Sequence, residues 1–117
     1  MVSSIRKAAV LGAGVMGSGI AAHLASCGIR TLLLDIVPPG CDDPSPAARN
    51  AFAAGGLKGA LKSKPAAFLR KERSALIDVG NFDDDMGKLA DCDWVIEVVK
   101  EDMGIKQRLL AQIEANW

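Results

Sequence analysis

Three glycines and one aspartate have the types and spacing that could bind a dinucleotide. Gly12, Gly14 and Gly17 follow an apolar strand as Gly-x-Gly-x-x-Gly, and Asp35 ends the next apolar segment 18 residues after Gly17. The first glycine permits a sharp turn, the second leaves room for a pyrophosphate, and the third lets a helix lie close to the strand. That helix begins with unpaired N–H groups and the positive end of its dipole. The pattern therefore predicts an anion site that needs no lysine.

Asp35 predicts which dinucleotide is preferred. A carboxylate at the end of the second strand can accept hydrogen bonds from ribose hydroxyls, but it would repel a 2′-phosphate, and the adjacent Ile36 supplies no compensating cation. The pattern favours NAD over NADP. The alternatives are a glycine turn that binds nothing and an aspartate that is merely solvated.

Composition excludes several classes of partner. The 117 residues are 50% hydrophobic with a mean hydropathy of +0.19, and 14 basic residues balance 14 acidic ones, so no overall field favours nucleic acid or an anionic membrane. No apolar run is long enough to span a bilayer, and no export signal is evident. Cys27, Cys41 and Cys92 are widely spaced with a single histidine, which favours reduced thiols over disulfides or zinc. A cytoplasmic protein is expected.

The order of apolar segments predicts an α/β fold. Leu32, Leu33 and Leu34 form an uninterrupted run that is typical of a strand covered on both faces, and Ser45 followed by Pro46 is typical of a helix start. Strands are expected over 7–11, 30–35, 75–79 and 94–99, and helices over 15–26, 45–64, 66–74, from 83–85 onward, and 102–117. This order predicts a Rossmann-type, doubly wound, mainly parallel sheet, with residues 1–117 forming an incomplete NAD-binding domain.

Several segments resemble a known family. They are G-A-G-V-M-G-S-G-I-A over 12–21, L-L-D-I over 33–36 and D-W-V-I-E-V-V-K-E-D-M-G-I-K over 93–106. Together they are similar to the NAD-binding domain of 3-hydroxyacyl-CoA dehydrogenases, and the resemblance covers nearly the whole chain. Segments 62–66 and 75–85 look most like the long bacterial forms that also carry an enoyl-CoA hydratase region. The resemblance implies oxidation of a 3-hydroxyacyl-CoA to the 3-ketoacyl-CoA in fatty-acid β-oxidation, with hydride passing to NAD.

The resemblance also implies roles for particular residues. Glu101 and Lys106 match cofactor contacts after the fourth strand, and Val98 matches a position on the adenosine-ribose side. Lys62 or Lys64 matches a helix that approaches the CoA phosphates. The predicted cofactor-binding residues are Gly12, Ala13, Gly14, Val15, Met16, Gly17, Asp35, Ile36, Val98, Glu101 and Lys106.

Other interpretations of these charged residues remain open. Lys106 could instead pair with Glu101 or Asp102, and the lysines could form a solvated face. Lys100 and Asp102 depart from the apolar residue and the asparagine that are usual in the family. Glu97 is expected to make a structural hydrogen bond.

No catalytic residue is predicted within the 117 residues. The family uses a histidine base, assisted by glutamate, serine and asparagine, and these match positions downstream of Trp117, whereas His23 does not match. The chain alone is therefore expected to be inactive. Two further hypotheses are another β-hydroxyacid or nucleotide-sugar dehydrogenase, and a non-catalytic module that self-associates through apolar surface around 94–99.

Overall fold

Four parallel strands form one sheet. The computed structural model describes residues 5–62, 71–98 and 103–117. The strands are β1 (Lys7–Leu11), β2 (Arg30–Asp35), β3 (Ile77–Asn81) and β4 (Trp94–Glu97). Their order is β3-β2-β1-β4, and every pairing is parallel. The α/β, Rossmann-type prediction is confirmed.

The register brings the carboxyl ends of all four strands to one edge. Leu11 at the end of β1 lies between Leu34 of β2 and Glu97 of β4, and Asp35 lies opposite Asn81 of β3. Residues that follow the strands are therefore neighbours in space, although they are far apart in the chain. In open parallel sheets, ligands bind at this edge.

The predicted bounds of β1 and β2 are confirmed, but the other two strands differ from prediction. β3 begins two residues later than expected, because a 3₁₀ helix (Lys71–Leu76) occupies the first two predicted positions and Ile77 is the first residue to pair with Thr31. β4 ends at Glu97 rather than at residue 99. Val98 follows the strand, and residue 99 lies outside the described part.

Helices cover both faces of the sheet. They are α1 (Val15–Ser26), α2 (Pro46–Arg49), α3 (Ala51–Leu61) and α4 (Met103–Asn116). The bounds of α1 are as predicted, and Gly28, at φ 84°, donates its N–H to the Ala25 carbonyl at 2.9 Å as α1 ends. The Ser45 cap is also confirmed, since its hydroxyl oxygen accepts from the Ala48 N–H at 3.3 Å.

The single helix predicted over 45–64 is wrong. It is divided at Asn50 into α2 and α3, and α3 ends at Leu61. Contacts between Asn50 and β3 account for the division, as described below. Residues 63–70, which include the predicted end of this helix and the start of the next one, lie outside the described part.

The helix expected to begin at 83–85 is a short 3₁₀ helix (Met86–Asp91). Asp85 precedes it without capping it through its side chain, because its carboxylate accepts from the Asn81 N–H at 2.9 Å and pairs with Lys88 at 2.9 Å. The Asp102 cap predicted for α4 lies outside the described residues.

Successive side chains of each strand point to opposite faces of the sheet, and each face has its own core. α1 and α3 pack on a face rich in small residues, whereas the 3₁₀ helix Met86–Asp91 and α4 pack on a face rich in leucine. The first core contains Ala8, Val10, Ala21, Ala22, Ala25, Leu33 and Ala53. The second contains Ala9, Leu11, Leu32, Leu34, Leu89 and Leu109. The prediction that β2 is covered on both faces is confirmed.

The small-residue core brings α1 very close to the backbone of the turn after β1. A Cβ atom at Gly17 would lie 1.8 Å from the Gly12 carbonyl oxygen and 2.9 Å from Val98 Cγ2. By contrast, a Cβ atom at Gly19, in the same helix, would meet nothing within 4 Å. Close packing of α1 therefore depends on Gly17 and not on every glycine of the helix.

We expect Gly17→Ala and Gly19→Ala to have opposite effects on stability. Gly17→Ala must push α1 away from the Gly12 carbonyl, which should lower the free energy of unfolding by about 3 kcal/mol. Gly19→Ala adds a side chain in open space within a helix and should raise it by about 0.5–1 kcal/mol. Urea denaturation measures both, and equal effects of the two variants would contradict this packing.

At the opposite edge of the sheet, Asp93 joins the starts of β1 and β4. Its Oδ2 atom accepts from the N–H groups of Arg6 at 2.8 Å and Lys7 at 3.1 Å. These backbone hydrogen bonds hold the pKa of the Asp93 carboxyl below its ordinary value of 3.8. Because the folded pKa is lowered, the contribution of Asp93 to stability is present above pH 3.8 and is lost as pH falls through the folded pKa.

We therefore expect Asp93→Ala to lower the urea midpoint at pH 7 and to make progressively less difference as the pH falls below about 4. Asp91→Ala is the matched control, since Asp91 is a nearby exposed aspartate. Midpoints from pH 2.5 to 7 measure the effect. If the difference in urea midpoint between the wild type and Asp93→Ala increased toward acid pH, the direction assigned to the pKa shift of Asp93 would be wrong.

Candidate functional site

The site begins at a turn that only glycine adopts easily. Gly12 has φ 117°, in the left-handed region, and its N–H donates to the Leu34 carbonyl of β2 at 2.8 Å. On the other side, the Val98 N–H donates to the Leu11 carbonyl at 2.9 Å. The turn is thus held between the ends of β2 and β4, at the edge where parallel sheets bind ligands.

Gly14 begins α1 and leaves open space in front of it. It is the N-cap residue, with no side-chain cap and no acidic residue in the first turn, and a Cβ atom there would meet nothing within 4 Å. Val15 and Met16 follow with 97% and 71% of their surface exposed. The first N–H groups of a helix have no partner within the helix. The backbone here therefore presents N–H donors and the positive end of the helix dipole to open space, an arrangement that suits an anion.

Asp35 lies next to this turn and is oriented by it. Its Oδ2 atom accepts from the Ala13 N–H at 2.9 Å, and its Oδ1 atom accepts from the Ile36 N–H at 2.7 Å. A carboxylate has about four lone-pair positions, so each oxygen can accept a further hydrogen bond. The side chain is thus fixed at the end of β2 and able to bind a diol beside the glycine turn.

The fourth strand contributes an ion pair near the same edge. Lys106 Nζ lies 3.8 Å from Glu97 Oε2, and both side chains are about one quarter to one third exposed. The two acids weighed as partners of Lys106, at 101 and 102, lie outside the described residues. Val98, predicted on the adenosine-ribose side, lies beside the glycine turn, since a Cβ atom at Gly17 would be 2.9 Å from its Cγ2 atom.

A cleft of about 550 Å³ is lined on one side by the glycine turn and the start of α1, and on the other by α3. A Cβ atom at Gly56 would lie 2.4 Å from both the Ala13 carbonyl oxygen and Ser18 Oγ, so α3 touches the turn closely. Lys62 is exposed at the end of α3, and Lys64 lies outside the described residues. The cleft is lined by Ala13, Gly14, Val15, Ser18, Gly19, Gly55, Gly56, Gly59 and Ala60.

A second groove of about 480 Å³ runs from the end of β2 to α4. Ile36 and Val37 form one side, and Arg108 and Gln112 of α4 lie opposite. The sequence analysis did not single out Arg108, which directly precedes Leu109, a residue of α4 that is 2% exposed. A cation therefore lies in the groove beside Ile36, where the sequence indicated none.

Other site classes find little support in the described residues. No group of three or more His, Cys, Asp and Glu side chains within them is arranged to hold a metal ion. The three cysteines are free, as expected, and burial raises the pKa of the Cys92 thiol. None of the helices within those residues has the length and apolar character needed to cross a bilayer.

The histidine lies away from the glycine turn. His23 is exposed on α1, and its Nε2 atom is 4.0 Å from Cys27 Sγ. Nine residues of helix separate it from Gly14, about 13 Å at the usual rise per residue. The interpretation of His23 as a non-catalytic helix residue agrees with this position.

The family model described as 3-hydroxyacyl-CoA dehydrogenase, NAD binding domain, matches residues 7–117. The chain belongs to this family. Its cofactor is NAD, in agreement with the open space at Gly14 and the position of Asp35.

The relatives are longer proteins. "Probable 3-hydroxyacyl-CoA dehydrogenase" of Deinococcus radiodurans is 52% identical over 110 residues, which are 94% of this chain and 30% of that protein. The protein of the same name in Bacillus subtilis is 45% identical over 125 residues, covering 99% of this chain and 16% of that protein. Further relatives carry the name fatty acid oxidation complex. The chain thus spans less than a third of these two dehydrogenases.

A solved structure confirms the architecture. The crystal structure of (S)-3-hydroxybutyryl-CoA dehydrogenase from Ralstonia eutropha matches with a TM-score of 0.60 and 28% identity, over 97% of this chain and 38% of that one. The family and the Rossmann fold expected from the sequence are therefore confirmed. The individual cofactor contacts remain predictions.

Proposed function

We propose that the NAD diphosphate binds in front of α1, against the backbone N–H groups that follow Gly14. The observation that supports this most directly is the space there, which a Cβ atom at Gly14 would enter without meeting any atom within 4 Å. Gly12 provides the turn and Gly17 the close approach of the helix. Val15 and Met16 complete the proposed contacts through their backbone N–H groups. Ala13 is kept as a proposed contact on the sequence pattern, since its own N–H donates to Asp35.

The ribose of the adenosine half is proposed to bind Asp35. The two oxygens of its carboxylate each accept one backbone hydrogen bond, and each has a lone pair left for a ribose hydroxyl. A 2′-phosphate at this place would meet the negative charge of Asp35, and Asp83 lines the adjoining groove. NAD is therefore favoured over NADP, even with Arg108 in that groove.

The base of the adenosine is proposed to lie between Ile36 and the residues after β4. Val98 lies beside the glycine turn, and Lys106 is held near the end of β4 by Glu97. Glu101 is kept as a proposed contact on the family pattern alone, since it lies outside the described residues.

For the longer protein of which such a domain is part, we propose the oxidation of a 3-hydroxyacyl-CoA to a 3-ketoacyl-CoA in fatty-acid oxidation. Bound NAD supplies the hydride acceptor. The cleft between the glycine turn and α3 opens next to the proposed diphosphate position, and the exposed Lys62 follows two residues after Ala60, which lines the cleft. Lys62 or Lys64 is proposed to meet the CoA phosphates through charge-assisted hydrogen bonds.

Hydride transfer also needs a proton acceptor for the hydroxyl group, and we propose that none acts within these 117 residues. The single histidine, His23, is exposed on α1, about 13 Å along the helix from Gly14. The free cysteines agree with a cytoplasmic location, which stays a proposal.

Self-association stays a prediction of the sequence. β4 lies at an edge of the described sheet, and Trp94 on it is 45% exposed, which leaves apolar surface available to a second copy or to further chain.

We expect the chain to bind NAD and Asp35→Ala to bind it about tenfold or more weakly, because hydrogen bonds to a charged group contribute about 1.5–3 kcal/mol. Calorimetric titration of NAD and NADP measures this. Asp91→Ala is the control, since Asp91 is exposed at the opposite edge of the sheet and should bind NAD like the wild type. Equal affinity of the wild type for NAD and NADP would contradict the proposed preference for NAD.

We also expect the 117-residue chain to reduce no acetoacetyl-CoA with NADH, because its single histidine lies on α1 about 13 Å along the helix from Gly14. Loss of absorbance at 340 nm, a property of NADH, reports turnover. A longer relative assayed in parallel shows that the assay works. Turnover by the 117-residue chain at a rate above the protein-free background would overturn this expectation.

A further inference from the structure

The division between α2 and α3 has a specific cause. The Asn50 backbone continues the helical ladder in part, because its N–H donates to the Pro46 carbonyl at 2.9 Å and its carbonyl accepts from the Ala54 N–H at 2.9 Å. The Asn50 side chain does not cap α3. Its Oδ1 atom accepts instead from Nδ2 of Asn81, at the end of β3, at 2.7 Å.

Asn81 is a fully connected buried amide. It is 1% exposed, and its Nδ2 atom also donates to Asp84 Oδ2 at 3.0 Å. Its Oδ1 atom accepts from the N–H groups of Asp83 at 3.0 Å and Asp84 at 2.8 Å. These contacts fix the orientation of the amide, so the direction in which it donates to Asn50 is fixed as well.

A second contact joins the same two segments. Arg49 Nε and Nη2 donate to the two carboxylate oxygens of Asp84 at 2.7 and 3.1 Å. The hydrogen bond from Arg49 is the main cause of the lowered pKa of the Asp84 carboxyl. Because these side chains are partly exposed, we assign this pair a supporting role and the buried amide the main one.

α3 connects these contacts to the glycine turn. Gly56 lies against the Ala13 carbonyl oxygen and Ser18 Oγ, and Ser18 Oγ itself donates to that carbonyl at 2.9 Å. Six residues separate Asn50 from Gly56, about 9 Å of helix, so a rotation of about 10° at Asn50 would move Gly56 by about 1.5 Å. That displacement is large for a contact between close-packed atoms.

We propose that Asn50 and Asn81 are positioning residues for the cofactor site: their hydrogen bond sets the angle of α3 and so keeps Gly56 against the Ala13 carbonyl and fixes the width of the cleft. Neither side chain needs to touch NAD. The effect on NAD affinity rests on the proposed function, whereas the effect on the turn does not. Asp35, which accepts from the Ala13 N–H, lies opposite Asn81 in the sheet. The N–H and the carbonyl of Ala13 therefore both depend on the pairing of β2 with β3.

The test compares Asn50→Ala, which removes the acceptor, with Asn50→Asp, which keeps an acceptor oxygen. In amide nitrogen-proton NMR spectra, Asn50→Ala should shift the resonances of Ala13 and Ser18 and weaken NAD binding about fivefold. Asn50→Asp should stay within twofold of the wild type. Ile113→Ala, in the core on the other face of the sheet, is a stability control that should lower the melting temperature without either effect.

The proposal would be overturned if the Ala13 and Ser18 resonances did not shift in Asn50→Ala. It would also be overturned if Ile113→Ala weakened NAD binding as much as Asn50→Ala does. If the wild type binds no NAD, the proposed function fails, while the resonances still test the positioning role.

Should Asn50→Ala not fold, Gly56→Ala displaces α3 at the same contact and should shift the same resonances. Gly55→Ala, whose Cβ atom meets nothing within 4 Å, should not. Identical spectra for these two variants would also contradict the proposal.

Discussion

The carboxylate of Asp35 accepts a hydrogen bond from the Ala13 N–H, and this contact joins the two parts of the proposed cofactor site. One part is the backbone turn at Gly12, and the other is the end of β2. Each alone is a common feature of parallel sheets. The 2.9 Å hydrogen bond between Ala13 N and Asp35 Oδ2 places a fixed acceptor beside the start of a helix. This arrangement suits a sugar together with the phosphate attached to it.

The packing of small residues makes this arrangement possible. α1 and α3 both approach the turn at distances that exclude a Cβ atom, at Gly17 and at Gly56 respectively. Elsewhere the same helices carry glycines with open space around them, such as Gly19 and Gly55. Glycine therefore serves two purposes here. Gly17 and Gly56 allow close approach between backbones, whereas Gly19 and Gly55 leave the wall of the cleft open.

Local patterns allowed much of the fold to be predicted, because β1, α1 and β2 depend on residues close together in the chain. The glycine turn, the leucine run of β2 and Gly28 each act within a few residues. The division at Asn50 could not be predicted, since it depends on Asn81, which is 31 residues away. The same reason explains why the position of Arg108 in the groove that Ile36 also lines was missed. Gly-x-Gly-x-x-Gly and Asp35 could be singled out because their spacing itself predicts the chemistry, and their contacts with NAD stay predictions.

A crystal structure of the chain with NAD tests the central claim most directly. The account predicts diphosphate oxygens within about 3 Å of the N–H groups that follow Gly14, and a ribose hydroxyl donating to the Asp35 carboxylate. NAD bound elsewhere, or a Gly14 site filled by the protein's own atoms while NAD is present at saturating concentration, would contradict it.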